Sequence, residues 1–172
     1  MANLRNRWEI LAELTNKNEY TKIAEIGVNR GINVANWLTL CPQIEKAYLV
    51  DTDNNHGIDI GDLIHKKVWN KCEYRTCGSE KAAKLVPNKL DIVFIDADHS
   101  YEAVKEDIQL WYPKIRKGGI ICGHDYMEGP YDRDGIFCDV KKAVDEAFPK
   151  VNLEDDVLED GKIKVWWVYK NE

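Results

Sequence analysis

The sequence lacks a hydrophobic run long enough to cross a membrane, and its N-terminus lacks the apolar core of a secretory signal. Its longest apolar stretch lies around Leu90–Ile95, whereas a transmembrane helix needs about 20 apolar residues. An excess of basic residues is also missing, since the formal net charge is −6. An acidic surface repels phosphate backbones and anionic lipids, so we expect neither nucleic acid nor a membrane as partner. These absences predict a cytoplasmic protein.

Paired cysteines are lacking as well. The chain has 5 cysteines, and an odd number without a signal sequence argues against a disulfide framework. Cys72 and Cys77 are close in sequence, but no second pair follows at the spacing of a structural zinc site. The 172 residues predict a single domain over 1–172 with a full-sized core.

Apolar strand-like runs alternate with helical patterns along most of the chain. The predicted strands are Lys22–Val28, Lys46–Val50, Lys71–Thr76, Leu90–Ile95 and Ile120–Gly123, followed by a hairpin of Val151–Leu158 and Lys162–Tyr169. The predicted helices are Leu4–Leu14 (within an N-terminal segment 1–20), Gly31–Leu40, Gly61–Trp69, one capped by Ser79 and ending at Leu85, Tyr101–Tyr112 and Asp139–Phe148. Strands separated by helices pair in parallel, which predicts an α/β fold, a three-layer sandwich closed by an antiparallel hairpin.

The segment Ile23–Gly31 predicts a ligand site. Glu25 lies near the end of an apolar strand, and Gly27 and Gly31 follow in the turn that leads into the next helix. An acidic residue beside such a turn is typical of α/β sheets that hold nucleotide-like ligands.

This pattern resembles the class I S-adenosylmethionine-dependent methyltransferases, whose Rossmann-like, mostly parallel seven-stranded sheet ends in an antiparallel hairpin. Their first motif, an acidic residue followed by three alternating glycines, is matched here except that Asn29 replaces the middle glycine. Asn accepts the positive φ that this position requires better than most residues do. The resemblance implies S-adenosyl-L-methionine as cofactor, with a carboxylate after strand two on the ribose hydroxyls. The implied cofactor contacts are Glu25, Gly27, Val28, Asn29, Gly31, Asp51, Thr52, Ser79 and Asp96.

The segments Phe94–Tyr101 and His124–Tyr126 resemble a branch related to macrocin-type and catechol-type O-methyltransferases. Metal-dependent members bind Mg²⁺ through carboxylates after strands four and five. Position by position, the implied metal ligands are Asp96, His124 and Asp125. Histidine is a poor ligand for Mg²⁺, so three alternatives stay open: a softer divalent metal such as Mn²⁺, His124 as a base, or no metal.

The sequence therefore predicts methyl transfer to a small acceptor, most simply a sugar or phenol-like hydroxyl. The candidate catalytic residues are Asp96, His99, His124 and Asp125. Residues 126–137 are the candidate substrate loop, and a homodimer would complete a site that so short a chain leaves uncovered. Two alternatives remain: an enzyme that binds NAD or a nucleotide sugar, and a non-catalytic module with the same fold.

Overall fold

The structure, a computed structural model, describes residues 5–52, 69–130, 137–157 and 163–171. The strands of this part are β1 (Lys22–Ile26), β2 (Lys46–Asp51), β3 (Cys72–Thr76), β4 (Leu90–Ile95), β5 (Ile115–Gly123), β6 (Gly129–Pro130), β7 (Phe137–Cys138), β8 (Asn152–Asp155) and β9 (Lys164–Tyr169). The helices are α1 (Arg7–Lys17), α2 (Ile32–Leu40), α3 (Ser79–Leu85), α4 (Tyr101–Trp111) and α5 (Val140–Ala147), and a 3₁₀ turn, Tyr112–Lys114, follows α4.

Seven of these strands form one sheet in the order β3-β2-β1-β4-β5-β9-β8. The first five strands in sequence, β1 to β5, pair in parallel with one another, and β9 pairs antiparallel with both β5 and β8. The predicted fold is thus confirmed: a mostly parallel seven-stranded sheet with an antiparallel C-terminal hairpin. The short strands β6 and β7 form a separate antiparallel pair.

The core lies on both faces of the sheet, which makes the three layers. One cluster of buried side chains includes Trp37 of α2 and residues of α1, and the other includes Trp111 of α4 and residues of α3 and α5. Every residue of β4 is buried, as expected of a strand covered on both faces. Adjacent Trp166 and Trp167 of β9 pack against opposite clusters, in line with the alternation of a strand.

Strand five begins earlier than the sequence predicts, at Ile115 rather than Ile120. The glycine pair indicates a break, but the structure has a shift of register there: Leu90 is opposite Ile115 while Ile92 is opposite Ile120. Gly118 has a φ of +76°, and a Cβ on Gly119 would lie 2.5 Å from a side-chain carbon of Ile115. The glycines therefore bend the strand without ending it.

Helix α3 begins one residue earlier than the sequence predicts. Ser79 is the first residue of α3, and Gly78 holds the N-cap position that was predicted for Ser79. The predicted helix Gly61–Trp69 falls almost wholly outside the described residues.

In the part of the chain that is described, no helix combines the length and apolar character of a membrane span. All five cysteines are free thiols.

Candidate active site

A cavity of about 670 Å³ opens at the carboxyl ends of the central strands, next to the point where the strand order reverses between β1 and β4. Ligands bind at this position in open α/β sheets, because adjacent loops diverge there and leave a crevice. Almost all of the predicted cofactor contacts line it. Those lining residues are Glu25, Gly27, Val28, Asn29, Asp51, Thr52, Ser79 and Asp96.

The turn after β1 forms one wall of the cavity. Gly27 has a φ of +86°, and a Cβ on it would lie 2.1 Å from the carbonyl oxygen of Asp96. The turn thus requires glycine for both its backbone conformation and its contact with the end of β4. Asn29 has a φ of +49°, so the predicted positive φ is confirmed. Gly31, at φ +74°, caps α2 and donates its N–H to the carbonyl of Val28 at 2.8 Å, but it does not line the cavity.

Asp51, the last residue of β2, fixes the shape of that turn. Its Oδ2 accepts hydrogen bonds from the backbone N–H groups of Val28 at 2.9 Å and Asn29 at 2.7 Å. The carboxylate lies at the cavity wall between β1 and β2. Asp51, the predicted ribose contact, therefore lines the cavity, and the same side chain also holds the turn.

Glu25 has a buried carboxyl group, of which one oxygen has no hydrogen-bond partner within the described residues. The residue is 1% exposed, and its Oε1 accepts a hydrogen bond from the Asn33 amide at 3.1 Å. Within the described residues, Glu25 Oε2 and Asn33 Oδ1 are both buried without a hydrogen-bond partner. Burial raises the pKa of Glu25 to about 8, although the Asn33 hydrogen bond opposes the rise. Because buried polar groups without partners are costly, this pair favours a ligand that brings a positively charged N–H group, beside which Glu25 would ionise.

Ser79 belongs to a small polar network at the far end of the cavity. Its hydroxyl donates to Asp107, and the Trp111 indole N–H donates to the same hydroxyl at 2.7 Å. Burial raises the pKa of Asp107 to about 6, and the Ser79 hydrogen bond opposes that effect. The Ser79 hydroxyl is therefore committed to the protein, so a cofactor would meet the other atoms of this residue.

Asp125 lies between two histidines after β5. Its Oδ2 is 3.0 Å from His99 Nε2 and 3.1 Å from His124 Nδ1. Asp125 and Asp96 raise the pKa of His99 to about 10. Burial lowers the pKa of His124, but its hydrogen bonds outweigh this and raise it to about 9. Burial would raise the pKa of Asp125, yet the two histidines hold it below its usual range.

Arg7, at the start of α1, reaches the same cluster from the N-terminal segment. Its Nη1 lies 3.2 Å from Asp96 Oδ2 and 3.1 Å from His124 Nδ1. Asp156, which is 0% exposed, holds the other side: its Oδ2 is 3.1 Å from His124 Nε2 and 3.9 Å from Arg7 Nε. The cluster thus combines one arginine and two histidines with the carboxylates of Asp96, Asp125 and Asp156.

Comparison with known proteins relates this sequence to methyltransferases. A sequence model of the family described as "Methyltransferase domain" matches residues 24–126, from within β1 to just beyond β5. The chain belongs to this methyltransferase family. A shorter match is to protein R132 of Acanthamoeba polyphaga mimivirus, 46% identical over 43 residues, which are 25% of this chain and 20% of the viral protein. The match therefore leaves most of that relative's length uncovered.

Solved structures show the same methyltransferase fold at low sequence identity. The O-methyltransferase TomG from Streptomyces achromogenes, solved with S-adenosylmethionine, is 12% identical, with a TM-score of 0.76 over 96% of this chain and 80% of that one. An O-methyltransferase from Bacillus cereus in complex with S-adenosylhomocysteine is 17% identical, with a TM-score of 0.74 over 95% and 80%. An rRNA methylase from Streptococcus thermophilus is 14% identical, with a TM-score of 0.67 over 96% and 94%.

The metal site implied by metal-dependent methyltransferases can be tested against these contacts. Asp96, His124 and Asp125 offer ligand atoms within 4.8 Å of one another, so the predicted residues do come together. However, His124 Nε2 faces Asp156, and its Nδ1 faces both Asp125 and Arg7. Neither ring nitrogen is available to a cation in this arrangement. The donor set as it stands does not fit a divalent metal.

Four residues of the site escape prediction from the sequence. Arg7 looks like an exposed residue of an amphipathic helix, and Asp156 like part of an acidic surface run. Asp107 is spaced as a polar residue of α4. Asn33 alone carries a local signal, because it lies four residues before the buried Trp37 and so shares its apolar face.

Proposed function

We propose that this methyltransferase-family chain transfers a methyl group from S-adenosyl-L-methionine to the hydroxyl oxygen of a small molecule. The observation that carries the proposal is the buried, unpartnered oxygen pair of Glu25 and Asn33 at the wall of the cavity. S-adenosylmethionine carries an ammonium group, which is the donor that such a pair lacks.

The other walls suit the remaining parts of that cofactor. Asp51, with Thr52 beside it, would accept hydrogen bonds from the two ribose hydroxyls, as a carboxylate can. The backbone of Gly27, Val28 and Asn29 would lie along the cofactor, and the Ser79 end of the cavity would receive the adenine. Gly31 contributes by shaping the turn.

The bound cofactor would supply a methyl group on a positively charged sulfur, which leaves as a neutral thioether. The protein then has to align the acceptor and take its proton as the new carbon–oxygen bond forms. We assign both tasks to Asp96, because it follows the central strand β4 and lines the cavity. Arg7 holds Asp96 Oδ2, while Oδ1 lies 3.9 Å from His99. In this scheme Oδ1 receives the proton.

The two histidines act on this scheme as positioning groups. Both are held between carboxylates that favour their protonated forms, so neither is arranged to take a proton from the acceptor. His99, which lines the cavity, places a positive charge beside Asp96 and the acceptor oxygen. His124 and Asp125 lie behind it and fix its orientation. In this scheme neither histidine acts as the base.

The acceptor class follows from the shape and charge of the chain. The acidic net charge of −6 favours a small, uncharged or cationic acceptor over a nucleic acid. A sugar or phenol-like hydroxyl fits a site whose reactive group is one carboxylate. The cytoplasmic location, the homodimer and the substrate loop 126–137 stay predictions; residues 131–136 of that loop lie outside the described residues.

A transfer assay with methyl-labelled S-adenosylmethionine tests the proposal. The acceptors are panels of sugars and phenols, with ribosomal RNA as a separate arm. We expect label in a small hydroxyl compound, and a loss of about 10²–10⁴-fold in rate for Asp96→Asn, the range for a lost acid–base group.

The matched control is Asp98→Asn, because Asp98 also lines the cavity but accepts a hydrogen bond from the Ser100 backbone at 2.8 Å. Its rate should stay close to that of the wild type. Label in RNA alone, or equal rates for Asp96→Asn and the wild type, would contradict the proposal.

A further inference from the structure

We propose that the guanidinium of Arg7 takes the place of a divalent cation in this active site, so that methyl transfer by this chain needs no metal. The inference rests on the proposed function, because it concerns the same acceptor end of the cavity. Arg7 Nη1 lies 3.2 Å from Asp96 Oδ2 and 3.1 Å from His124 Nδ1. These are two of the three side chains whose ligand atoms cluster within 4.8 Å.

Arg7 competes with an ion for the same ligand atoms. Its Nη1 lies within hydrogen-bonding distance of both Asp96 Oδ2, at 3.2 Å, and His124 Nδ1, at 3.1 Å. An ion bound to these two atoms would have to compete with the guanidinium for them.

The charges lead to the same conclusion. The carboxylates that would attract a cation already surround the guanidinium, and Asp96, Asp156 and Asp125 together raise the pKa of Arg7 against the opposing effect of burial. Asp125 is shared further with His99 and His124. A second, divalent charge beside Arg7 would be repelled by the guanidinium.

The N-terminal segment holds Arg7 in place from both sides of the residue. Arg5 forms an isolated parallel β-bridge with Asp156 and binds both carboxylate oxygens of Glu154, at 2.8 and 2.7 Å. On the other side, the Glu9 carboxylate accepts the N–H of Asn6 at 2.8 Å and caps the start of α1. The Arg7 side chain is only 23% exposed. These contacts thus fix the position of Arg7 in the site.

A guanidinium in place of a metal ion limits the class of acceptor that the site can bind. A guanidinium donates hydrogen bonds but has no coordination position to offer. It can orient Asp96 and stabilise negative charge on one oxygen, but it cannot chelate two neighbouring oxygens as a metal does. The site therefore favours an acceptor that binds through a single hydroxyl over a vicinal diol that binds as a chelate.

Calorimetric titration with MnCl₂ tests the inference on the whole chain, without any acceptor. We expect no saturable binding to the wild type or to Arg7→Lys, which keeps a cation in place. Arg7→Ala should bind one Mn²⁺ at least about tenfold more tightly than the wild type. Arg7→Ala combined with Asp96→Asn should lose that binding. If Arg7→Ala does not give a folded circular dichroism spectrum, Arg7→Met, which keeps the aliphatic stem, replaces it.

Two results would overturn the inference. One is saturable Mn²⁺ binding to the wild type that disappears in Asp125→Asn, and the other is no binding to the folded Arg7 variant. The same preparations are titrated with S-adenosylhomocysteine. Failure of the wild type to bind it would count against the proposed function, whereas a Mn²⁺ result of either kind bears only on Arg7.

Discussion

Glu25 is the residue on which the cofactor assignment depends most. It lies in an otherwise apolar strand, and a carboxyl group as buried as this one is stable only as the neutral acid or with a cationic partner. Asn33 satisfies one of its oxygens, and within the described residues the other is buried without a hydrogen-bond partner. The protein thus accepts a cost in the unliganded state that a ligand ammonium group would relieve.

Glu25→Gln should raise the free energy of unfolding at pH 8 by about 1–3 kcal/mol. The folded-state pKa is raised from 4.5 to about 8, so the contribution of Glu25 to stability is fully present below pH 4.5 and is lost as the pH rises through 8. The variant has no such loss, so its advantage should grow between pH 5 and pH 8 in urea unfolding. A gap between the two proteins that stays constant over this range would contradict the buried, neutral acid.

Prediction from the sequence worked best for the positions of residues that one strand–helix–strand unit brings to the cavity. Glu25, Asn29 and Asp51 follow a pattern of spacing that fixes where strand ends meet. Arg7 and Asp156 could not be predicted in this way. Their partners are distant in the chain. Their neighbours in the sequence are those of an ordinary solvated surface.

At the scale of elements, the site depends on how closely β1 and β4 approach at their ends. The Asp96 N–H donates to the Ile26 carbonyl at 2.8 Å, and the Gly27 N–H donates to the Val50 carbonyl at 2.9 Å. The turn is thus bonded to both neighbouring strands. Any side chain at Gly27 would push the end of β4, and Asp96 with it, out of place.

Gly27→Ala should destabilise the fold by about 1–3 kcal/mol, because its φ is positive and the new Cβ would overlap the Asp96 carbonyl. Gly78→Ala is the matched control, since a Cβ at Gly78 meets nothing within 4 Å. Thermal and urea unfolding of both variants measure the difference. Equal stability of the two would show that the approach of β4 to the turn is looser than described.

The C-terminal hairpin supports the acceptor end of the site through Asp156. Asp156→Ala should cost about 3–5 kcal/mol of stability, because it leaves the charges of His124 and Arg7 buried with one carboxylate fewer. Its neighbour Asp155 is exposed and pairs with Lys164 at the surface, so Asp155→Ala should change stability by less than about 1 kcal/mol. Similar losses for both variants in urea unfolding would argue against the buried ion network.

At the scale of the whole molecule, the alternation of strands and helices was enough to predict the sheet, its parallel pairing and the closing hairpin. Periodicity assigns faces to elements, so the two core clusters follow from it. It does not reveal where one element docks on another. The bend at Gly118 and Gly119 and the docking of the N-terminal segment on the hairpin depend on contacts between distant parts of the chain.

The central claim is that the cavity between the glycine turn and Asp96 binds S-adenosylmethionine. Calorimetric titration of the wild type and Asp51→Ala with S-adenosylhomocysteine and, separately, with NAD tests it most directly. We predict one bound S-adenosylhomocysteine per chain, weakened by about 1–3 kcal/mol in Asp51→Ala, and no binding of NAD. Binding of NAD without binding of S-adenosylhomocysteine would contradict the account.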